Sequence, residues 1–242
     1  MTDTLAPERL SLEVKNLETG YLGEAVVFDI SMTIAPGKIT ALFGHNGAGK
    51  TTVMKTIAGL NPLFKGTLLL GDNDITSARP DLRVKQGLVY LPQERAVFST
   101  MTVRGNLMLG ATTVSDARIV QERLAFVIDL FPILGQRLDQ IAGTMSGGEQ
   151  RMVSMGIALM AGARVLMLDE PSLGLSPLVT KQLFLATQRL AREGGVTVLL
   201  VEQAIGQTLD FVDHVYVMRS GRVIAEHTRQ EAQERTDWWE VF

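Results

Sequence analysis

The chain has 242 residues, 46% of them hydrophobic, enough for one large domain or two small ones around a substantial core. A formal net charge of −3 gives no overall basic bias toward nucleic acid, and the absence of cysteine excludes disulfides and cysteine-based metal sites. His45, His214 and His227 are scattered without ligand spacing, and no run of about eighteen apolar residues offers a bilayer span.

Met1 to Leu10 carries Pro7, Glu8 and Arg9 and has no apolar stretch of the signal-peptide kind. An intracellular, soluble protein is therefore expected, with membrane association only through a partner. Leu10 to Val14 and Phe28 to Ile34 alternate apolar and polar residues, the pattern of half-buried strands. Tyr21 falls between them, in an expected turn from Gly20 to Gly23. Pro36-Gly37 marks a turn before an apolar strand, Ile39 to Phe43. Gly44-His45-Asn46-Gly47-Ala48-Gly49-Lys50-Thr51-Thr52 follows, and a helical pattern runs from Val53 to Leu60.

Strand, glycine-rich turn and helix are the context that the G-x-x-x-x-G-K-S/T pattern requires. The glycines permit backbone conformations closed to residues with a Cβ. Successive N–H groups then face inward at a helix N-terminus and form an anion site. Lys50 would reach the β- and γ-phosphates, and the Thr51 hydroxyl would take a position on Mg²⁺. A glycine-rich turn with a chance Lys-Thr is the plain alternative, and the flanking strand and helix weigh against it.

Gly66 to Leu70 is a further short strand closed by Gly71-Asp72-Asn73-Asp74, so an N-terminal antiparallel layer is expected. Gly87 to Leu91 is an apolar strand ending at Pro92-Gln93. Beyond it Val120, Leu124, Val127, Ile128 and Phe131 share one face of a helix over Ser115 to Phe131. Its place between two sheet strands predicts an inserted helical subdomain, roughly 94–160. Ser146 to Glu149 reads as a capping box opening a helix from Gln150 to Met160. A cap does not by itself require Gly147 and Gly148, which are poor helix formers. They leave a bare backbone N-terminus on which an anion can settle. A second phosphate surface in one chain is explained if it meets the γ-phosphate held by a second copy or a related subunit.

Val165 to Leu168 ends in Asp169-Glu170 and Val196 to Val201 ends in Glu202-Gln203, both read as parallel strands buried on two faces. Ligands of such sheets gather at the carboxyl ends of the strands. Asp169 is placed to hold Mg²⁺ through its water shell. Glu170 can orient or deprotonate an attacking water, and Gln93 can meet the metal or that water. Helix capping or a solvated turn is the alternative for the two acids. Ser176-Pro177 opens another helix. His214 to Met218 and Arg222 to Ala225 form a closing hairpin, and Trp238 and Trp239 sit in a charged tail as a docking or capping contact.

These residues resemble the ATP-binding subunits of ABC transporters. Gly44–Thr52 matches Walker A, Gln93 the Q-loop, Ser146–Gln150 the signature and Val165–Glu170 Walker B with its base. Tyr21 matches the aromatic that stacks on adenine. The resemblance runs from about Leu10 to Thr228 and implies one α/β ATPase domain over 1–242. That domain is a P-loop NTPase core with an antiparallel β layer and the helical insertion. Two such domains of the family close head to tail around two ATP molecules. The resemblance therefore implies ATP and Mg²⁺ as ligands, with a second ABC ATPase, identical or paralogous, and transmembrane permease subunits as partners. It places the chain in the cytoplasm on the inner face of the cell membrane.

Within the family the chain is similar to ATPases of branched-chain amino acid importers, through Glu170–Pro177, Val201-Glu202-Gln203, Arg95–Phe98, Met101–Val103 and Asn106-Leu107. ATPases of urea or amide importers, of lipid exporters, and non-transport ABC ATPases stand as alternatives. Three positions depart from the general pattern: Met145 where Leu is usual, Ser176 where the D-loop has Asp, and Gln203 where the switch histidine is expected. Gln203 would sense the γ-phosphate by hydrogen bonding without proton transfer. The competing role is a cap on a helix starting at Ala204.

Overall fold

The structure is a computed structural model that describes residues 9–94, 96–235 and 238. Arg95, Trp239 and the first eight residues, named above, lie outside the described residues. In chain order the strands and helices are β1 (Leu12–Tyr21), β2 (Glu24–Ile34), β3 (Ile39–Phe43), α1 (Lys50–Ile57), β4 (Leu63–Leu70) and β5 (Asn73–Asp74). There follow α2 (Pro80–Lys85), β6 (Leu88–Leu91), α3 (Val103–Gly110), α4 (Ala117–Leu130), α5 (Pro132–Gln136) and α6 (Gly147–Met160). The last part contains β7 (Val165–Asp169), α7 (Pro177–Arg192), β8 (Thr197–Glu202), α8 (Ile205–Thr208), β9 (His214–Arg219), β10 (Arg222–Thr228) and α9 (Arg229–Glu234).

Two sheets result. One is antiparallel in the order β2-β1-β4-β5, the expected N-terminal layer. The other runs β10-β9-β3-β8-β7-β6, parallel except for its β9–β10 hairpin edge. Every residue of β3, β7 and β8 is buried, because this sheet is covered on both faces. Side chains alternate between the faces. Ala41, Phe43, Leu166, Leu168, Val198 and Leu200 join the core built with α3, α4, α6 and α7. Leu42, Met167, Leu199 and Val201 join the other core, with α1 and the antiparallel layer. The carboxyl ends of β3, β7 and β8 therefore open along one edge of a sandwiched sheet.

Several boundaries differ from expectation for identifiable reasons. β1 continues past Val14 to Tyr21, so Tyr21 ends a strand and the turn is Leu22-Gly23. A bulge at Lys15-Asn16, with Asn16 at φ 50°, shifts the phase of alternation and cuts a period-2 reading short. A matching irregularity on β2 puts Asp29 at φ 53°, and Asn16 Nδ2 donates to Asp29 Oδ1 at 2.8 Å. α1 starts at Lys50, earlier than Val53, because its apolar stripe begins one turn inside the helix. α4 is capped by Asp116, whose carboxylate accepts the Arg118 N–H at 2.8 Å, which trims the predicted start, and Pro132 takes Phe131 out of the helix at the other end. Four helices, α3 to α6, lie between β6 and β7. Trp238 packs edge-on against Phe43, with ring centroids 6.5 Å apart, at the end of β3.

Candidate active site

The turn after β3 is shaped by two close approaches. A Cβ on Gly44 would lie 2.4 Å from the Met218 carbonyl oxygen of β9, so only glycine lets the loop leave the sheet there. Gly49 sits at φ 103° as the N-cap of α1, and no side chain caps that helix. The first N–H groups of α1 are therefore left for an external acceptor, with the helix dipole behind them. Lys50 is 4% exposed and its Nζ lies along the loop, donating to Gly44 O at 2.6 Å and His45 O at 3.0 Å. Burial lowers its pKa, and the nearby carboxylates of Glu170, Asp169 and Glu202 oppose that.

Asp169 ends β7 and is 1% exposed. Thr51 Oγ1 donates to its Oδ1 at 3.2 Å and Tyr90 Oη to its Oδ2 at 2.9 Å. Burial raises the pKa of this carboxyl, while the two hydrogen bonds pull it down. The hydroxyl–carboxylate pair is an all-oxygen donor set. Among the described residues no group of three or more His, Asp and Glu could hold a metal ion. The Thr51–Asp169 oxygen pair suits a hard cation that keeps several waters, as Mg²⁺ does.

Glu170 follows in a left-handed conformation, φ 44°, with its N–H bonded to Val201 O at 3.0 Å. Its Oε1 accepts a 2.5 Å hydrogen bond from Gln203 Nε2. The capping alternative for Gln203 is thereby corrected. α8 starts at Ile205, its N-cap is Ala204, and no side chain caps it. The amide turns back toward the carboxylate because the loop after β8 lies beside the loop after β7, their strands being neighbours.

A cleft of about 490 Å³ joins Tyr21, Lys50, Thr51, Gln93, Glu170 and Gln203, and the Asn46, Gly47, Gly49 and Thr52 positions also border it. Tyr21 stands at its mouth, half exposed, with its hydroxyl 3.1 Å from Thr52 Oγ1. Gly44, His45 and Ala48 shape the loop without lining the cleft. Ser146, Gly147, Gly148 and Glu149 are not brought to it either. They start α6, where the capping box is complete: Ser146 N donates to Glu149 Oε2 at 2.8 Å and Glu149 N to Ser146 Oγ at 3.4 Å. The expectation of a bare backbone there is corrected in part. Gly148 is needed for packing, since a Cβ would meet Val179 Cγ1 of α7 at 2.3 Å.

Sequence reasoning missed three polar residues of this region. Tyr90, an aromatic with a polar tip inside an apolar strand, was the available signal for an Asp169 partner. Arg151, 5% exposed, donates to Pro92 O at 2.8 Å and Gln93 O at 2.5 Å, tying α6 to the main chain at Gln93. Glu202, a charge closing an apolar strand, accepts the Ser172 N–H at 2.9 Å.

The family described as ABC transporter matches residues 27–173. A probable branched-chain amino acid transport ATP-binding protein, LivF of Archaeoglobus fulgidus, is 40% identical over 92% of this chain and 94% of its own length. BraG of Pseudomonas aeruginosa, a high-affinity branched-chain amino acid transport ATP-binding protein, is 38% identical over 90% and 92%. The lipopolysaccharide export ATP-binding protein LptB of Escherichia coli is 34% identical over 91% and 92%. Among solved structures, the ADP conformation of an ATP-binding cassette of an ABC transporter superposes with a TM-score of 0.87 at 25% identity, covering 97% of this chain and 98% of that one.

Proposed function

The chain belongs to the ABC transporter family, and on that premise we propose that it is the ATP-hydrolysing subunit of an importer for branched-chain or related amino acids. The observation that carries the ATPase chemistry is the meeting of Lys50, Thr51, Glu170 and Gln203 in one cleft below an uncapped helix. The amino acid substrate class rests on the two branched-chain amino acid transport relatives, which are more similar to this chain than the lipopolysaccharide export protein is.

The loop N–H groups and Lys50 bind the triphosphate, and Lys50 exchanges its loop carbonyls for phosphate oxygens. Tyr21 flanks the base. Thr51 and Asp169 would hold Mg²⁺, Asp169 through water, and Gln93 would reach the metal or the attacking water. The bound ion would neutralise charge developing on the transferred phosphoryl group. Gln203 holds Oε1 of Glu170, which leaves Oε2 to take the proton of the water. An amide does not titrate, so Gln203 orients the carboxylate and donates toward the γ-phosphate without moving a proton.

Ser146 to Glu149 meet the γ-phosphate held by a second ABC ATPase, of the same or a paralogous chain, and the closed pair drives a transmembrane permease. No helix among the described residues is long and apolar enough to cross a membrane. In the proposed complex, contact with the inner face of the cell membrane runs through that permease. The test is Glu170→Gln, which keeps nucleotide affinity and stops turnover. Wild-type hydrolysis by that variant would remove Glu170 from its role. Deleting the gene should abolish uptake of labelled branched-chain amino acids; unchanged uptake would move the reading to the exporter class.

A further inference from the structure

The end of β8 grips the loop after β7 at two consecutive residues. Gln203 takes the side chain of Glu170, and Glu202 takes the main chain two residues further on, at Ser172 N. Glu202 is 3% exposed, at the end of a strand whose other residues are apolar or threonine. A buried carboxylate is costly unless hydrogen bonds fill its lone pairs. Here the Ser172 N–H donates to Oε1 of Glu202 at 2.9 Å. That donor belongs to the loop that carries Glu170.

That loop has something to be held against. Glu170 has a Cβ and yet occupies the left-handed region at φ 44°, a conformation that persists only where surrounding contacts over-determine it. Its own N–H is fixed by Val201 O of β8, so three successive residues of β8 and its exit, Val201, Glu202 and Gln203, hold Glu170 and Ser172. The geometry points to Glu202 as a positioning residue: by anchoring Ser172 it keeps Glu170 in its left-handed backbone and holds Oε2 toward the attacking water. The assignment rests on Glu170 being the base.

Glu202→Met removes every acceptor at nearly constant volume, and Glu202→Gln keeps one. Turnover at saturating ATP and affinity for a non-hydrolysable ATP analogue are measured on the full chain, each per folded molecule. A base misplaced by a fraction of an ångström loses rate while the phosphates still bind, so Glu202→Met should lower kcat by about tenfold or more. Glu202→Gln should lower it by a smaller factor, and analogue affinity should stay unchanged in both. A residue that only stabilises the fold would lower the melting temperature and leave kcat per folded molecule untouched. Wild-type kcat in either variant overturns the assignment. A parallel loss of analogue affinity does the same, because it would show Glu202 acting through the charge of Lys50. Should Glu202→Met fail to fold, Glu202→Gln decides alone by the same two readings. Glu170→Gln run alongside separates the two claims. If it is inactive while the Glu202 variants are normal, only the Glu202 assignment falls; if it is active, the base assignment falls first.

Discussion

Two helices in this chain begin on glycine-rich turns, and their beginnings are finished differently. α1 starts from Gly49 with no side-chain cap, its first N–H groups left for a ligand and Lys50 folded over the turn. α6 starts from Ser146 with a complete capping box, and Glu149 is held further by Arg137 at 3.1 Å. A helix N-terminus is an anion site only to the extent that its donors are free. By that measure α1 is ready within one chain. α6 has spent part of its donor capacity on itself, and in the proposed pairing it meets phosphate only when a second subunit brings one to the exposed Ser146. On the proposed function the same local motif serves a private site in one place and a shared one in the other.

The largest effect should come from breaking the first of these. Lys50→Ala removes a charged donor from a buried phosphate site, a loss of about 3 kcal/mol, or roughly a hundredfold in affinity. Titration with a fluorescent ATP analogue measures it. Unchanged affinity would mean that the loop N–H groups alone carry binding and that the ammonium serves only the loop carbonyls.

How much of this was visible in the sequence differs along the chain in the same way. The α1 loop was legible as a unit, because it is one contiguous stretch that follows a largely apolar strand, although Gly44, His45 and Ala48 do not line the cleft. The parallel sheet and its order of polar endings were legible too, since buried strands are continuous apolar runs. The extent of β1 was not, because the bulge at Asn16 breaks the period. Neither were Tyr90, Arg151 and Glu202, whose partners lie 79, 59 and 58, and 30 residues away. The role of Gln203 was left between a helix cap and the active site, and only the neighbouring of β7 and β8 decides that its amide meets Glu170.

A second prediction breaks the shared site while sparing the private one. Ser146→Arg places a bulky cation on an exposed position and removes the α6 cap, a loss of about 1 kcal/mol in stability. In a Glu170→Gln background with ATP and Mg²⁺, sedimentation should show a dimer for the parent and a monomer for the double variant. Nucleotide affinity of the monomer should be unchanged. If it fell instead, Ser146 would belong to its own chain's cleft, and the contrast between the two helix starts would collapse.

The smallest effect sharpens why α6 carries glycine at all. If Gly148 were kept only to bare the backbone for an anion, alanine there would raise helix propensity by about 1 kcal/mol and stabilise the free chain. The packing says otherwise. The new Cβ would meet Val179 Cγ1 at 2.3 Å, and a β-branched side chain has little rotamer freedom to yield. Overpacking of this kind costs about 1–3 kcal/mol, so the net change should be destabilising by about 1 kcal/mol, or about 2–4 °C in melting temperature. Pairing the change with Val179→Ala removes the obstacle, and the double variant should melt above the Val179→Ala single one. The cycle isolates the contact from the propensity term. A Gly148→Ala single variant more stable than the parent would sink the packing account and return Gly148 to the phosphate surface alone.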